Sequence, residues 1–339
     1  MEPTTLPPAF DHEYYRQRYS DVVPMKNDVL LQHYQEFGID EGRASSPAAW
    51  RKILVDLVQQ EASILEVGPF ATPAVEGEHV RYIDAFDTDE LIRRCSWHGL
   101  DTSRVPHIDY VSPGGSFDMV DRKFGAVFGS HSIEHQPDLV RHLRNVSSVL
   151  EPGGRYYIVS PDKRYCFDHF RNTSTIADVI TAYLTNLGRH QPRTLISHAL
   201  EVTHNDPARH WKNDHGAPSY QRSNGPTLDI LRQQIESMEY IDSHAWQFTP
   251  NAFFEIVSAL NRMALTDLVP ERVYHTPRDM FEFTAVLRKG KNDDDIAFIS
   301  RQEKSCEVTR SEPMPKGAAV ERLMFSRMSR LRMMFRKIA

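Results

Sequence analysis

Residues 64–70 read ILEVGPF, and this segment is the clearest indicator of fold class in the chain. An apolar run ends there in an acid, Glu66, and a glycine, Gly68. Glycine lets the backbone approach a small ligand closely, and a carboxylate can accept hydrogen bonds from such a ligand. A second apolar run at residues 124–128 is followed by small residues and histidines. We expect the two runs to form strands of one parallel sheet, with a ligand at their carboxyl ends.

Strand-like and helix-like segments alternate around these two runs. Apolar runs predict strands over residues 63–67, 80–85, 107–111, 124–128 and 155–160, and helical spacing predicts helices over residues 48–60 and 139–150. Residues 241–248 are strand-like, residues 250–263 helical, and closing strands are expected around residues 271–274 and 280–287. The alternation predicts an α/β fold with a parallel sheet. The family resemblance described below implies a Rossmann-like sheet of seven mostly parallel strands with helices on both faces.

The composition changes along the chain and predicts several parts. We expect a small helical N-terminal module at 1–47, the α/β domain at 48–288, a flexible linker at 289–318 and a basic amphipathic tail helix at 319–339. Within the α/β domain, residues 163–240 are polar and rich in histidine, and they are too many for a simple connection between strands. This stretch is predicted to be an inserted substrate cap.

The net charge argues against one class of partner, and the cysteine content indicates a cellular compartment. The formal net charge of -6 argues against nucleic acid as a partner, since nucleic acid requires a basic face. Three scattered cysteines without a CxxC pair, no apolar window long enough to span a membrane and no signal peptide indicate a cytoplasmic protein. The basic tail is of the kind that lies on the inner face of a membrane; docking on a partner or on its own domain is the alternative.

The first region carries the pattern F-D-x-x-Y-Y-x-x-x-Y-x-D-V, followed by H-Y-x-x-x-G-x-x-E-G-R. The matching residues are Phe10, Asp11, Tyr14, Tyr15, Tyr19, Asp21, Val22, His33, Tyr34, Gly38, Glu41, Gly42 and Arg43. This pattern resembles a module attached to bacterial glycosyltransferases and other polysaccharide-assembly enzymes. The resemblance implies a role in surface polysaccharide metabolism and an association with glycosyltransferases. The alternative is a packing appendage whose aromatic rings are simply buried.

The fourth strand is followed by the segment SHSIEHQPD at residues 130–138, which contains x-x-x-E-H-x-x-D. With the strand order, this segment makes residues 63–288 similar to class I S-adenosylmethionine-dependent methyltransferases. The resemblance implies S-adenosylmethionine as cofactor, with its methionine part at the loop after strand one and its ribose hydroxyls on an acid ending strand two. The implied cofactor-binding residues are Glu66, Gly68, Pro69, Asp84, Asp109, Ser130 and His131.

One feature departs from that family. Its members usually have two or three glycines after the acid of strand one, whereas here Gly68 is followed by Pro69 and Phe70. Proline removes an amide donor and fixes φ, so the loop should differ in shape. The G-x-G-x-x-G pattern of dinucleotide-binding enzymes is absent, which disfavours a dehydrogenase more than a methyltransferase.

Candidate catalytic residues follow strands four and five. His131 or His135 could act as a general base at neutral pH if the methyl acceptor is a hydroxyl, and Asp162 is a third candidate. The alternative is that His135 only braces its loop while Asp138 caps the next helix.

The cap supplies candidate substrate-binding residues: Arg164, Asp168, His204, His210, Trp211 and His215. Polar side chains and an indole face suit a sugar or another hydroxyl-rich acceptor. Histidines and carboxylates also bind metal ions, but the spacings here match no tight ligand pattern, so no metal ligand is predicted.

The sequence therefore predicts S-adenosylmethionine-dependent O-methylation of a glycan or a sugar-linked intermediate. A non-catalytic binding module on the same fold and a metal-dependent hydrolase using the histidine-rich cap are the alternatives. A nucleic-acid methyltransferase is disfavoured because no N/D-P-P-Y/F/W box follows strand four.

Overall fold

The computed structural model describes residues 4–236 and 241–290. The predicted tail helix and all but the first two residues of the predicted linker lie outside the described residues. The strands are β1 (Ile64–Val67), β2 (Val80–Asp84), β3 (Tyr110–Val111), β4 (Phe124–Ser130), β5 (Leu150–Pro161), β6 (Leu268–Tyr274) and β7 (Glu282–Lys289). They form one seven-stranded sheet in the order β3-β2-β1-β4-β5-β7-β6.

The sheet is mostly parallel. Neighbouring strands from β3 to β5 are parallel, and β7 is antiparallel to both β5 and β6. This confirms the predicted α/β, Rossmann-like architecture of seven mostly parallel strands. In such sheets a ligand binds outside the carboxyl ends of the parallel strands, so the strand ends define where a site is expected.

Helices cover both faces of the sheet. The α-helices in the described part of the chain are α1 (His12–Arg18), α2 (Asn27–His33), α3 (Arg51–Val58), α4 (Thr88–Trp97), α5 (Leu139–Val149), α6 (Ile176–Leu184), α7 (Pro192–Glu201), α8 (Pro207–His210), α9 (Leu228–Glu236) and α10 (Pro250–Arg262). On one face Leu65 and Val127 pack in the core that also contains residues of α5, α6 and α10. On the other face Ile64 and Phe128 pack with residues of α3. The central strands are buried on both sides, which is why their sequences are continuously apolar.

The helix that follows β4 starts where the sequence predicts. Asp138 caps α5 by accepting a hydrogen bond from the backbone amide of Arg141 at 3.0 Å, as the alternative reading of the segment expected. Leu143 and Val146 lie on the buried face of this helix. The cap fixes the path of the chain between β4 and α5, where the candidate histidines lie.

The predicted strand at residues 241–248 is wrong. Only an isolated bridge between Asp162 and Phe248 forms there. The backbone amides of Ala245 and Trp246 donate instead to the carbonyl oxygen of Glu134. The sheet edge next to β5 is already occupied by β7, so this segment has no strand to join and is held by the loop after β4.

Other boundaries also differ from the prediction. β3 has two residues and does not begin at 107, whereas β5 starts at Leu150 and not at 155. The last strand begins at Glu282 and not at 280, and β6 starts at Leu268. Hydrogen bonding to neighbouring strands sets these ends, and local sequence does not contain that information.

The N-terminal module is helical and has a small core of its own. Phe10, Tyr15, Val22, Leu30, Tyr34 and Ile39 form this core. The rings of Tyr15 and Tyr34 are fully buried, so these aromatic residues serve packing. The backbone amide of Arg278 donates to the carbonyl oxygen of Gly42 at 2.7 Å, which joins the module to the segment after β6.

The predicted cap divides into two parts. α6 packs against α5 and α10, and its Val179 and Ala182 belong to the main core. The chain that contains α7, α8 and α9 follows it.

Among the residues that the structure describes, no helix combines the length and apolarity needed to cross a membrane.

Candidate functional site

Strand register aligns three residues at the carboxyl edge of the sheet. Val67 of β1 pairs with Ile83 of β2 and with Gly129 of β4, so Gly68, Asp84 and Ser130 follow side by side. The amide of Gly68 donates to the carbonyl oxygen of Ile83 at 2.9 Å. Gly68 is exposed and has a left-handed φ of 70°, a conformation that suits glycine. At the centre of this edge, the exposed backbone of Gly68 therefore lies between Asp84 and Ser130.

Glu66 is not part of that open edge. Its side chain is 3% exposed, and its carboxylate accepts hydrogen bonds from the amides of Ala74 at 2.9 Å and Val75 at 3.3 Å. Burial raises the pKa of Glu66 to about 7. Glu66 was predicted to bind the ligand, and in the structure its carboxylate binds the backbone of the loop after β1.

Asp84 is half-buried at the end of β2. Burial raises the pKa of its carboxyl to about 6, while the backbone amides of Phe86, Ala85 and Phe70 act in the opposite direction. Phe70 has a left-handed φ of 51° next to the buried Pro69. Of the two acids, Asp84 alone stays at the edge where the strand register places it.

Asp109 was predicted to bind the cofactor, and in the structure its carboxylate contacts β2. Its carboxylate accepts a hydrogen bond from the amide of Tyr82 at 2.8 Å and lies 3.4 Å from the guanidinium of Arg81. It therefore joins β2 to the segment before β3. Val111 pairs with Asp84 in the sheet, and the amide of the following residue, Ser112, donates to the carbonyl oxygen of Asp84 at 2.7 Å. The sequence analysis gave no role to Ser112, although the predicted third strand ends at residue 111, as β3 does.

His131 follows β4 directly and is buried. Its φ of 53° is left-handed, which is uncommon for a residue other than glycine and occurs often at functional sites. Its Nε2 contacts a carboxylate oxygen of Glu282, and its Nδ1 lies 3.4 Å from Oε1 of Glu134. Burial alone would raise the pKa of Glu282, but the His131 imidazole and the Arg51 guanidinium hold that pKa below its ordinary value.

His135 lies on the same turn. Its Nδ1 is 2.8 Å from Oδ1 of Asp242, and its Nε2 is 3.7 Å from Oε1 of Glu134. Its ring meets that of His244 edge to face at a centroid distance of 4.7 Å. The histidine therefore connects the loop after β4 to the segment that was wrongly predicted as a strand.

His244 lies next to His135 and belongs to the same group of histidines and acids. Its Nδ1 contacts Oδ2 of Asp168, and Asp168 also pairs with Arg171 at 2.8 Å. Burial alone would raise the pKa of Asp168, but His244 and Arg171 hold that pKa well below its ordinary value. Burial lowers the pKa of His244. Asp168 was predicted to contact substrate, and the structure places it behind His244.

Sequence reasoning gave no role to several members of this group. They are Glu134, Asp242, His244 and Glu282. The acid of the E-H pair was visible in the sequence, but the other three join it from residues more than a hundred positions away. Only the fold brings them together.

Asp162 is fully buried at the end of β5. Its carboxylate pairs with Arg164 at 2.6 Å and accepts a hydrogen bond from the hydroxyl of Thr276 at 2.8 Å. Burial would raise the pKa of Asp162, but Arg164 holds it below the ordinary value. The predicted catalytic acid and the predicted substrate arginine thus bind each other and stabilise this turn.

The histidines predicted in the cap form a second cluster. The rings of His169 and His215 stack at 3.7 Å, and Nδ1 of His210 lies 3.0 Å from Nδ1 of His215. The ring of His204 stacks on that of His210 at 4.2 Å. Burial lowers the pKa of His210 to about 3 and that of His169 to about 4. The cluster is therefore neutral near pH 7.

Trp211 borders the same cluster. One face of its indole stacks on Tyr165 at 3.9 Å, and its Nε1 donates to the carbonyl oxygen of Met280 at 2.9 Å. A Cβ placed on Gly42 would lie 2.7 Å from the indole. The ring therefore packs between the cap and the N-terminal module, and the face against Tyr165 is not available to a sugar.

The chain was compared with known proteins. No family model and no curated protein matches it. The solved CcbJ methyltransferase from Streptomyces caelestis is 17% identical over 37% of this chain and 51% of that chain, with a TM-score of 0.25, so this chain spans about half of its length.

Other solved structures match over more of both chains. A DhpI-SAM-HEP complex is 18% identical over 81% of this chain and 94% of that chain, with a TM-score of 0.36. The N-methyltransferase NodS from Bradyrhizobium japonicum WM9 is 13% identical over 71% of this chain and 95% of that chain, with a TM-score of 0.33. Identities and TM-scores this low do not determine a reaction.

Proposed function

We propose that this protein transfers the methyl group of S-adenosylmethionine to a hydroxyl group of a sugar-containing acceptor. The observation that carries the proposal is the exposed, left-handed Gly68 between Asp84 and Ser130 at the carboxyl edge of the sheet. This is the position at which an open α/β sheet binds a nucleotide-like ligand.

The residues at this edge fit the cofactor. A carboxylate can accept hydrogen bonds from two vicinal hydroxyls, and Asp84 lies at the strand end where ribose would be held. A Cβ added to Gly68 would meet only Ser132, at 3.8 Å, so the backbone is open to a ligand. When bound, the cofactor would supply an electrophilic methyl group. The chain's own contribution would be to align the acceptor and exclude water.

His131 is the better placed of the two predicted bases. Glu282 binds its Nε2, which orients the ring and turns Nδ1 toward the interior of the histidine group. His131 is also next to Ser130, beside the proposed cofactor position. A base in hydrogen-bond reach of an acceptor hydroxyl contributes about 10²- to 10⁴-fold to the rate. His135 engages Asp242 and Glu134 and stays the second candidate.

The acceptor class is proposed from two features. The cap presents a dense histidine cluster, and the N-terminal module resembles modules of polysaccharide-assembly enzymes. Both favour a sugar hydroxyl in surface polysaccharide metabolism over an apolar acceptor. The composition of the chain, with its formal charge of -6, gives no reason to expect nucleic acid.

Calorimetry with S-adenosylmethionine and its demethylated product tests the cofactor. We expect binding of both to the wild-type protein and at least about tenfold weaker binding to Asp84→Asn, because hydrogen bonds to a charged group are worth about 1.5–3 kcal/mol each. Absence of heat with both ligands would exclude this function and favour a non-catalytic binding module. Transfer of labelled methyl to sugar nucleotides, glycolipids and oligosaccharides then tests the acceptor.

A further inference from the structure

Three histidines in this fold are each bound to an acid through one ring nitrogen. Nδ1 of His135 contacts Asp242, Nδ1 of His244 contacts Asp168, and Nε2 of His131 contacts Glu282. An ionised carboxylate only accepts hydrogen bonds, so the contacting nitrogen must carry the proton. In the neutral imidazole the opposite nitrogen then carries the lone pair.

Those opposite nitrogens all face one carboxylate oxygen. Oε1 of Glu134 lies 3.4 Å from Nδ1 of His131, 3.7 Å from Nε2 of His135 and 4.0 Å from Nε2 of His244. Glu134 is 1% exposed and His244 is 3% exposed. Buried charged groups are paired with other charges or coordinate metal ions.

We propose that Glu134, His135 and His244 bind a divalent first-row metal ion such as Zn²⁺. Their ligand atoms all lie within 4.8 Å of one another. For metal–ligand bonds of about 2.0–2.1 Å, tetrahedral ligands are about 3.4 Å apart. The distances of 3.7 Å and 4.0 Å from Glu134 to His135 and His244 are somewhat longer, so the three side chains would move closer together around a bound ion. Two imidazoles and one carboxylate are an established ligand set for such ions.

The surroundings match those of bound metals. Metal-ligating histidines usually donate their other N–H to a carboxylate or carbonyl, which fixes the tautomer. Asp242 and Asp168 fulfil this for the two proposed ligands. Four carboxylates belong to the group, and two guanidinium groups pair with them, which leaves a formal charge of -2 when the imidazoles are neutral: Glu134, Asp168, Asp242 and Glu282 against Arg51 and Arg171. A divalent cation would balance that charge.

The cap contains a competing cluster of His169, His210 and His215. No carboxylate is among its ligand atoms, and Nζ of Lys163 donates to the carbonyl oxygen of His169 at 2.9 Å, which places a positive charge beside the cluster. The rings of His169 and His215 are also stacked face to face. The cluster after β4 is therefore the better site.

The proposed ion stands independently of methyl transfer, because it is measured without cofactor. If the proposed function also holds, the ion would polarise an acceptor hydroxyl and make its proton easier to remove. His135 would then be a ligand, and His131 would be left as the base.

The test is metal binding by the full chain without a histidine tag. Protein freed of metal with a chelator is titrated with Zn²⁺ and separately with Mg²⁺, and retained metal is counted by mass spectrometry after desalting. We expect about one Zn²⁺ per chain. Glu134→Gln and His135→Asn should weaken Zn²⁺ binding by well over about 100-fold, and Asp242→Asn by about 10- to 100-fold. His215→Asn in the cap is the matched control and should bind as the wild type does.

Thermal unfolding of each variant shows whether it folds. If Glu134→Gln does not fold, Zn²⁺ binding by Asp242→Asn tests the proposal in its place. The proposal is overturned if wild-type protein retains no Zn²⁺. It is also overturned if His215→Asn abolishes binding while His135→Asn and Asp242→Asn keep it. Cofactor calorimetry on the metal-free protein separates this outcome from a failure of the proposed function.

Discussion

Oε1 of Glu66 accepts a hydrogen bond from the backbone amide of Ala74 at 2.9 Å. The acid that the sequence places at a ligand site is thus a support for the loop above it. At the other end of that loop, the amide of Phe70 lowers the pKa of Asp84 and so partly offsets the effect of burial. The loop, which lacks the usual glycine run, therefore interacts with an acid near each of its ends.

The buried carboxyl of Glu66 should make stability depend on pH. Burial raises its pKa to about 7, above the unfolded value of about 4.3, so the folded state binds the proton more tightly. Its contribution to stability is full below about pH 4 and is lost as pH rises through about 7. Relative to Glu66→Gln, the wild type should lose up to about 3 kcal/mol of unfolding free energy between pH 4 and pH 8. Urea unfolding of both proteins at pH 4 and pH 8 measures this loss. The prediction is contradicted if the difference in unfolding free energy between wild type and Glu66→Gln is the same at both pH values.

Gly68→Ala should separate stability from cofactor binding. Alanine at a left-handed φ costs about 1–2 kcal/mol, and its Cβ would contact only Ser132 at 3.8 Å. Gly99, with a φ of 66° and no atom within 4 Å of an added Cβ, is the matched control. We expect Gly68→Ala and Gly99→Ala to lower the unfolding free energy equally. Only Gly68→Ala should weaken S-adenosylmethionine binding in calorimetry, and equal affinity in the two variants would remove Gly68 from the site.

Local pattern predicted the sheet well and the site only in part. Apolar runs such as those of β1 and β4 are buried on both faces, so their sequence alone identifies them. The segment around His244 was also predicted as a strand, but its backbone amides at Ala245 and Trp246 bind the carbonyl oxygen of Glu134, more than a hundred residues earlier. The same long-range contact builds the histidine group. No local pattern encodes such convergence, which explains why the sequence analysis predicted a strand at residues 241–248 and gave His244 no role.

Cofactor affinity should rise with pH through the titration of Asp84. Burial raises its pKa to about 6, so the carboxyl is protonated below that value and ionised above it. The ionised form accepts two hydroxyl hydrogen bonds, which are stronger to a charged group. We expect the dissociation constant of S-adenosylmethionine to fall by about tenfold between pH 5 and pH 7.5. Asp84→Asn should bind weakly with no such dependence, and a parallel dependence in the variant would assign it to another group.

His131→Asn should reduce turnover without reducing cofactor affinity. Asparagine tolerates the left-handed backbone at this position, so the loop should keep its path. Loss of a general base lowers kcat by about 10²- to 10⁴-fold. We expect the affinity for S-adenosylmethionine to stay within about twofold of the wild type. The exposed His107 offers a control, and His107→Asn should leave both quantities unchanged. Unchanged turnover in His131→Asn would exclude the base role.

Gly42→Ala should detach the N-terminal module. The added Cβ would lie 2.7 Å from the indole of Trp211 and 2.8 Å from the backbone of Arg278, and the φ of 68° is left-handed. Gly99→Ala has the same backbone strain without the clash, so the difference between the two isolates the contact.

Overpacking of this kind costs about 1–3 kcal/mol. We therefore expect Gly42→Ala to unfold at lower urea concentration than Gly99→Ala, and limited proteolysis to cleave the junction after residue 43 in the first variant only. Equal stability and equal protection would show that the module is held by its other contacts. Those include the ring contact between Tyr34 and His275 and the hydrogen bond from Tyr274 to the carbonyl oxygen of Pro7.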